Sequence, residues 1–381
     1  MKRIIPVFLL LALLGSCSSA KKFNAEIELS DWNTNYTYVF VHGLSGWGHY
    51  DARNKFFPYW GMGTGSLMKY LEKQGFDVHD ASVAPQGSAW DRACELYAQL
   101  TGSITDYGLE HSTRCGHDRF GKDFRKNPLI KKWDSQNKIN LLGHSFGGVT
   151  VRLLTHLMAN GAEAEIAITP AEELSPLFAG GHSDWIYSVT SLASPHNGTS
   201  AYHIKDPAPQ KKSGMQKAMD KINNKKTDNR ADFDVAAYDM HIDNAHEINR
   251  WLKTLDNVYY FSFAACATIK QPDGTYAPDT ARMETLFQRS STLMGSFEGT
   301  SFDGIQLSAE WQMNDGLVNT CSALAPSSAP SKIYNESETE PGIWNTMPVY
   351  YGDHMSLQGG LKIKNDVREF YLLHLDRINR L

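Results

Sequence analysis

Short unbroken apolar runs and longer stretches of helical period take turns along this chain. The runs at 36–41, 76–83, 138–142, 185–193 and 258–264 read as strands buried on both faces. Helical patterns lie between them. One covers 65–74 and is closed by Gly75; another covers 90–100 and is closed by Gly102. After Gly147, Val151, Leu154 and Met158 recur at i, i+3 and i+7, and Asn160-Gly161 supplies the stop. A short helix is expected over 247–252. A closing one over 366–378 puts Val367, Phe370, Tyr371, His374 and Ile378 on one face. Such alternation predicts an α/β chain with a mainly parallel central sheet flanked by helices. Residues 102–137 and 199–245 leave this rhythm. The first reads as a long loop-like insertion, and the second is polar and lysine-rich from 205 to 236. Both are expected to form a cap or side layer on the sheet. There is no internal repeat.

The first seventeen residues break the pattern differently. Met1-Lys2-Arg3 is positive, residues 4–14 are apolar but too short to span a membrane as a mature helix, and Leu14-Gly15-Ser16-Cys17 follows. That box resembles the cleavage site of bacterial lipoprotein signal peptides. It implies removal of residues 1–16, lipidation of Cys17, a tether over 17–35, and a main domain over 36–381, the mature protein being anchored to a membrane outside the cytoplasm. An ordinary secretory signal with a chance cysteine is the other reading, and it too places the protein outside the cytoplasm. Of the five cysteines, Cys94, Cys115, Cys266 and Cys321 then remain. That compartment permits disulfides, and Cys266 with Cys321 is the pair to test against free buried thiols.

The composition is that of a globular protein: 41% hydrophobic, 21% charged, net charge −5. With no long basic run outside 211–226, nucleic acid is not an expected partner, and no nucleotide-binding motif is present. The chemistry is carried by Gly143-His144-Ser145-Phe146-Gly147, set between a predicted strand and a predicted helix. That context suits a nucleophile elbow, which holds its serine in a strained turn above the end of the sheet. Earlier, Val41-His42-Gly43-Leu44-Ser45-Gly46 ends the first strand in a glycine turn that can aim a backbone N–H at a carbonyl oxygen. Leu44 and Phe146 are the expected oxyanion donors. On this scaffold the acid and then the base follow the serine in the chain. Asp315, in Asn314-Asp315-Gly316, is the expected acid, with Asp303 behind it. After Asp315 only His354 and His374 remain. His374 sits on the apolar face of the last helix and reads as a core histidine; His354, in a polar loop, reads as the base.

Several stretches together resemble one family, the bacterial true lipases of the thermoalkaliphilic and staphylococcal type. In order they are Val41 to Gly48, Tyr59-Trp60-Gly61, Trp90 to Leu100, Asp106-Tyr107-Gly108, Gly116 to Gly121, the elbow, Ser175 to His182, Ser194 to Thr199, Asn314 to Thr320, and Asp353-His354. The resemblance covers most of 36–378. It implies an α/β-hydrolase fold, hydrolysis of lipid carboxylic esters, and a triad of Ser145, Asp315 and His354. It also implies an interior structural zinc held by Asp91, His111, His117 and Asp239, a closed four-ligand site of nitrogen and oxygen donors. Cys115 lies between the two histidines and could compete as a ligand.

The chain departs from the family twice. The family's calcium carboxylates follow the catalytic histidine, but residues 355–365 contain no acid and Ser356 stands where the first should be, so that site is expected to be absent. The family's lid is longer and apolar; here 200–239 is polar, with Met215 and Met219 its apolar pair, which predicts weak interfacial activation and shorter or dispersed ester substrates. An acyltransferase on the same scaffold, and a catalytically inactive hydrolase-fold binding protein, are the competing functions. The first differs in whether an alcohol replaces water at the acyl-enzyme; the second requires a broken triad.

Overall fold

In the computed structural model, residues 31–204, 231–360 and 365–381 are described. The leader with Cys17, the lysine-rich stretch with Met215 and Met219, and part of the segment bearing on calcium lie outside them.

The strands come from runs of β-branched and aromatic residues. β1 is Thr37–Val41, β2 Val78–Ala81, β3 Ile104–Asp106, β4 Phe120–Asp123, β5 Ile139–His144, β6 Ile186–Leu192, β7 Tyr259–Phe263, β8 Ser331–Ile333 and β9 Trp344–Thr346; the other strands among the described residues are two or three residues long and lie outside the main sheet. Seven of these form one sheet in the order β8-β9-β7-β6-β5-β1-β2, parallel throughout. Alternate side chains of β1 serve opposite layers: Val39 and Val41 join one core cluster, Tyr38 and Phe40 the other.

The main helices are α1 (Leu67–Lys73), α2 (Ala89–Thr101), α3 (Leu109–Cys115), α4 (Phe146–Asn160), α5 (Ile242–Trp251), α6 (Thr285–Gly295) and α7 (Arg368–Asn379). Ser88 caps α2, its Oγ accepting from Asp91 N–H at 3.2 Å, and Gly102 ends it at φ 65°. The clusters place α2 and α4 against one face of the sheet and α1 and α7 against the other. In α7, His374 Nε2 lies 2.8 Å from Thr190 Oγ1, a satisfied core histidine.

Two expectations are corrected, and the choice left open for the cysteines falls on free thiols. Residues 102–137 are not one loop: β3 and β4 pair antiparallel and α3 lies between them. The helix expected over 247–252 begins at Ile242, because Ile242 and Ala245 are also buried. Cys266 and Cys321 do not pair; among the described residues all four cysteines are free.

What matters for the site is the neighbourhood of β1 and β5. The chain reverses its direction of sheet growth between them, which opens a crevice beyond their carboxyl ends. Val41 pairs with Gly143 in register, so the turn after β1 and the turn after β5 arrive side by side.

Candidate functional site

Ser145 stands at the β5–α4 turn with φ 55° and ψ −129°, a conformation that costs a non-glycine residue on the order of 1–3 kcal/mol. The flanking glycines make this turn possible. A Cβ at Gly143 would lie 2.3 Å from Gly147 carbonyl carbon, and one at Gly147 would lie 2.3 Å from Val41 oxygen. The serine hydroxyl meets His354 Nε2 at 2.8 Å, and His354 Nδ1 meets Asp315 Oδ2 at 2.8 Å. Asp315 Oδ1 in turn accepts the Leu317 and Val318 N–H groups at 3.0 and 2.7 Å, so the carboxylate cannot swing away from the ring. All three side chains are buried. Asp303 is elsewhere, exposed, with its N–H on Asp243 Oδ1.

Leu44 and Ser145 border one cleft, walled by Trp47, Met62, Phe287 and Met355. Among the described residues neither the Leu44 nor the Phe146 N–H meets an acceptor. α6 was not legible as part of this wall; Phe287 from its first turn lies with its ring 6.5 Å from that of His354.

Behind the serine runs a buried relay that sequence reasoning missed. Gly43 N–H donates to the Tyr59 hydroxyl at 3.0 Å, Tyr59 Oη lies 2.7 Å from His144 Nδ1, and His144 Nε2 lies 2.8 Å from His354 oxygen. Burial, with His354 adding, lowers His144 to about 3, so its imidazole is neutral. Burial pushes the Tyr59 hydroxyl up, so it keeps its hydrogen to donate. One direction satisfies every group: Tyr59 O–H to Nδ1, and Nε2–H to the His354 carbonyl. The relay ties the turn carrying Leu44 to the loop carrying His354. Tyr59→Phe removes the donor to His144 and the acceptor for Gly43 at once. It is expected to lower ester turnover about tenfold, with a melting-point loss reflecting roughly 2 kcal/mol; steady-state kinetics beside calorimetry check both, and unchanged turnover would refute the relay.

A second buried cluster lies where α2, α3 and the segment after 230 meet. His111 Nε2 is 3.1 Å from Asp91 Oδ1 and 3.4 Å from Asp234 Oδ1; His117 Nε2 is 3.3 Å from Asp234 Oδ2 and 3.9 Å from Asp91 Oδ1. Donors around a tetrahedral cation with bonds near 2.0–2.1 Å stand about 3.3 Å apart. His117 Nε2 and both Asp234 oxygens are buried without a hydrogen-bond partner, while His117 Nδ1 is bonded to the Asp118 carbonyl at 2.9 Å. That pattern leaves the Nε2 lone pair facing inward, as a metal-binding imidazole requires. Burial raises Asp91, with the Asp234 charge adding; burial alone would lower His111, but Asp234 and Asp91 reverse this and carry it to about 9. An ion taking the place of the His111 proton would meet two carboxylates and two neutral imidazoles, which balance a divalent charge, so the residues fit one. Cys115 joins His111, His117 and Asp234 with ligand atoms all within 4.8 Å of one another.

Asp239 is not part of this cluster. Its Oδ2 accepts Ala89 N–H at 2.7 Å and so closes the first turn of α2, and burial first, with the Asp234 and Asp91 charges adding, raises it to about 7. Asp234 takes the place expected of it. A bridge between Gly87 and Val235 fixes that strand beside α2, and Asp234, one residue earlier, points at the histidines. The sequence offers two acids five residues apart, and nothing in it ranks them.

The two clusters share α2. Asp91 faces the histidines, while its neighbour Arg92 reaches the other way. Arg92 donates to the His42 carbonyl, to Ala84 oxygen at 3.1 Å and to Thr150 Oγ1 at 2.9 Å.

Residues 34–233 match a family described as lipase-like, C-terminal domain. Lipase 2 of Staphylococcus aureus is 32% identical over 358 residues, covering 85% of this chain and 50% of that protein. The chain thus spans about half the length of that relative. The structure of EstA from Clostridium botulinum matches with a TM-score of 0.80 and 31% identity, covering 92% of this chain and 88% of the other. That of Staphylococcus hyicus lipase matches with a TM-score of 0.77 and 28% identity, covering 93% and 98%. Together with the parallel sheet, these likenesses make the fold that of an α/β-hydrolase.

Proposed function

This chain belongs to the lipase-like family, and from that membership we propose that it hydrolyses carboxylic esters of lipids through an acyl-enzyme on Ser145. The observation that carries the proposal is the unbroken contact from Ser145 through His354 to Asp315 at 2.8 and 2.8 Å. His354 Nε2 takes the Ser145 proton as Oγ attacks the ester carbonyl, then delivers it to the leaving alcohol. Asp315 holds Nδ1–H and so fixes which nitrogen is free to act as base. The Leu44 and Phe146 N–H groups receive the charge that develops on the carbonyl oxygen. Water then repeats the sequence on the acyl-enzyme. The walls supplied by Trp47, Met62, Phe287 and Met355 suit an apolar acyl chain. Hydrolysis of nitrophenyl esters across chain lengths, wild type beside Ser145→Ala, tests the proposal; equal rates in the two would end it.

The buried cluster is proposed as a structural zinc site held by Asp91, His111, His117 and Asp234. It would supply no step of the reaction. Its effect is to pin the 102–137 insertion and the segment after 230 to α2, and through Arg92 to steady the turn that carries Leu44.

Cys17 is proposed as a lipid-bearing N-terminus that anchors the mature protein to a membrane outside the cytoplasm, supported by the leader and its cleavage box. Among the described residues no helix is long and apolar enough to cross a membrane. Cys17→Ala is expected to move the protein from the membrane fraction to the soluble one, with mass spectrometry finding no diacyl group; an unchanged distribution would exclude this anchor.

A further inference from the structure

Arg152 lies two turns along α4 from Ser145 and is buried. Its Nη2 donates to Asn249 Oδ1 at 2.8 Å, its Nη1 lies 3.3 Å from His196 Nδ1, and its guanidinium stands 6.0 Å from the Trp344 ring centre. These partners are neutral. Burial, with the Arg152 charge adding, holds His196 well below its ordinary value. Among the described residues, the only ionisable group that favours the Arg152 charge is the Tyr260 hydroxyl. The other fully buried arginine is better served: Arg92 has the Glu95 carboxylate near it. A guanidinium cannot discard its charge, and a buried cation with no counter-charge is strongly disfavoured.

Beside Arg152 lies a shallow cleft open to solvent, bordered by Lys253, Thr254, Tyr260, Leu252 and Trp344. Its side-chain lining contains no acid. Tyr260 Oη already accepts Leu255 N–H at 3.0 Å, which leaves its hydrogen for another acceptor, and burial keeps that hydrogen in place. Guanidinium, ammonium and two hydroxyls therefore all offer hydrogens. Exposed Asp256 bears on the Tyr260 hydroxyl. The local field is positive enough that, after burial, Arg152 and Lys253 both oppose protonation of His156.

We propose that this cleft binds a small inorganic anion, of the chloride or phosphate type, which serves as the counter-charge of Arg152. The ion would join α4 to the end of α5 and to the entering ends of β7 and β9, on the side of the sheet away from the Ser145 turn. Its role is cohesion rather than ester chemistry.

Crystals soaked in bromide locate the ion by anomalous scattering. Melting curves of the whole protein in sodium chloride or sodium phosphate, each against sodium gluconate at equal ionic strength, measure its binding. The expected results are a bromine peak at hydrogen-bonding distance from the Arg152 guanidinium, and a saturable rise of roughly 3 °C at a hundredfold excess over Kd. The anion with the lower half-saturation identifies the class. Arg152→Gln should abolish the rise. Should that variant fail to fold, Lys253→Gln, at an exposed position, should weaken half-saturation about tenfold through loss of one cation at the cleft. Superimposable curves in all three salts, with no bromine at Arg152, would overturn the proposal. Neither readout uses ester hydrolysis, so this site and the Ser145 chemistry stand or fall separately.

Discussion

Ser145→Ala is expected to lower kcat on a short-chain nitrophenyl ester by about 10⁵- to 10⁶-fold, and His354→Ala nearly as much. The reason is geometric. Oγ and Nε2 are 2.8 Å apart and share one proton, so removing either abolishes the same event. The double variant should therefore be no worse than either single one, a non-additivity that independent contributions would not produce. Asp315→Asn should cost about 10⁴-fold, since the amide can present a hydrogen where Nδ1 needs an acceptor. Any residual activity above the uncatalysed rate is expected from the Leu44 and Phe146 N–H groups. Folding is not at stake for Ser145→Ala, because the serine makes no cap to α4 and its strained φ of 55° is imposed by the turn. A melting temperature near that of wild type, measured beside the kinetics, separates lost chemistry from lost structure.

Removing the buried cation should lower the melting temperature on the order of 8 °C. Two carboxylates and two imidazoles then face one another in a space that excludes water, and uncompensated buried charge costs about 3–5 kcal/mol. Elemental analysis is expected to find one zinc per chain, and zinc returned to stripped protein should restore the melting point. The variants discriminate between the two acids. Asp234→Asn and His117→Ala should lose the metal. Asp239→Asn should keep it, because Asp239 is engaged with Ala89 N–H at 2.7 Å. Retention of zinc in Asp234→Asn with loss in Asp239→Asn would restore the ligand set implied by the family resemblance. Cys115→Ser should leave the stoichiometry unchanged, the four nitrogen and oxygen donors being sufficient.

How much of this was legible beforehand follows from the range of each interaction. The elbow was readable because strand, sharp turn and helix are local: small residues at 143 and 147 are demanded by contacts with Gly147 and Val41 that any such turn makes. His354 followed from chain order and from the apolar face that claims His374 for the core. The runs that became β1, β5 and β6 were plain because strands buried on both faces are uniformly apolar. β8 and β9, at the sheet's edge, are three residues each, and Ser331-Lys332-Ile333 carries no apolar run to notice. Asp234 was missed for a different reason. Its assignment depends on a bridge between Gly87 and Val235, nearly 150 positions apart, and side-chain spacing within the segment does not encode it. The relay from Gly43 through Tyr59 and His144 was invisible for the same cause, since Tyr59 reaches His144 across 85 positions. α3 escaped notice because His111, Ser112 and Cys115 form its buried face, and only the fold shows that this polar face turns inward toward Asp91 and Asp234.

The central claim is that the acyl group is carried on the hydroxyl at position 145. Incubation of the folded protein with a p-nitrophenyl alkylphosphonate, followed by peptide mass spectrometry, tests it in one step. The account predicts a single stoichiometric adduct on Ser145, slowed at least a thousandfold in His354→Ala because the attacking oxygen is no longer deprotonated. An adduct on another residue, or none in protein with a native melting curve, would contradict it.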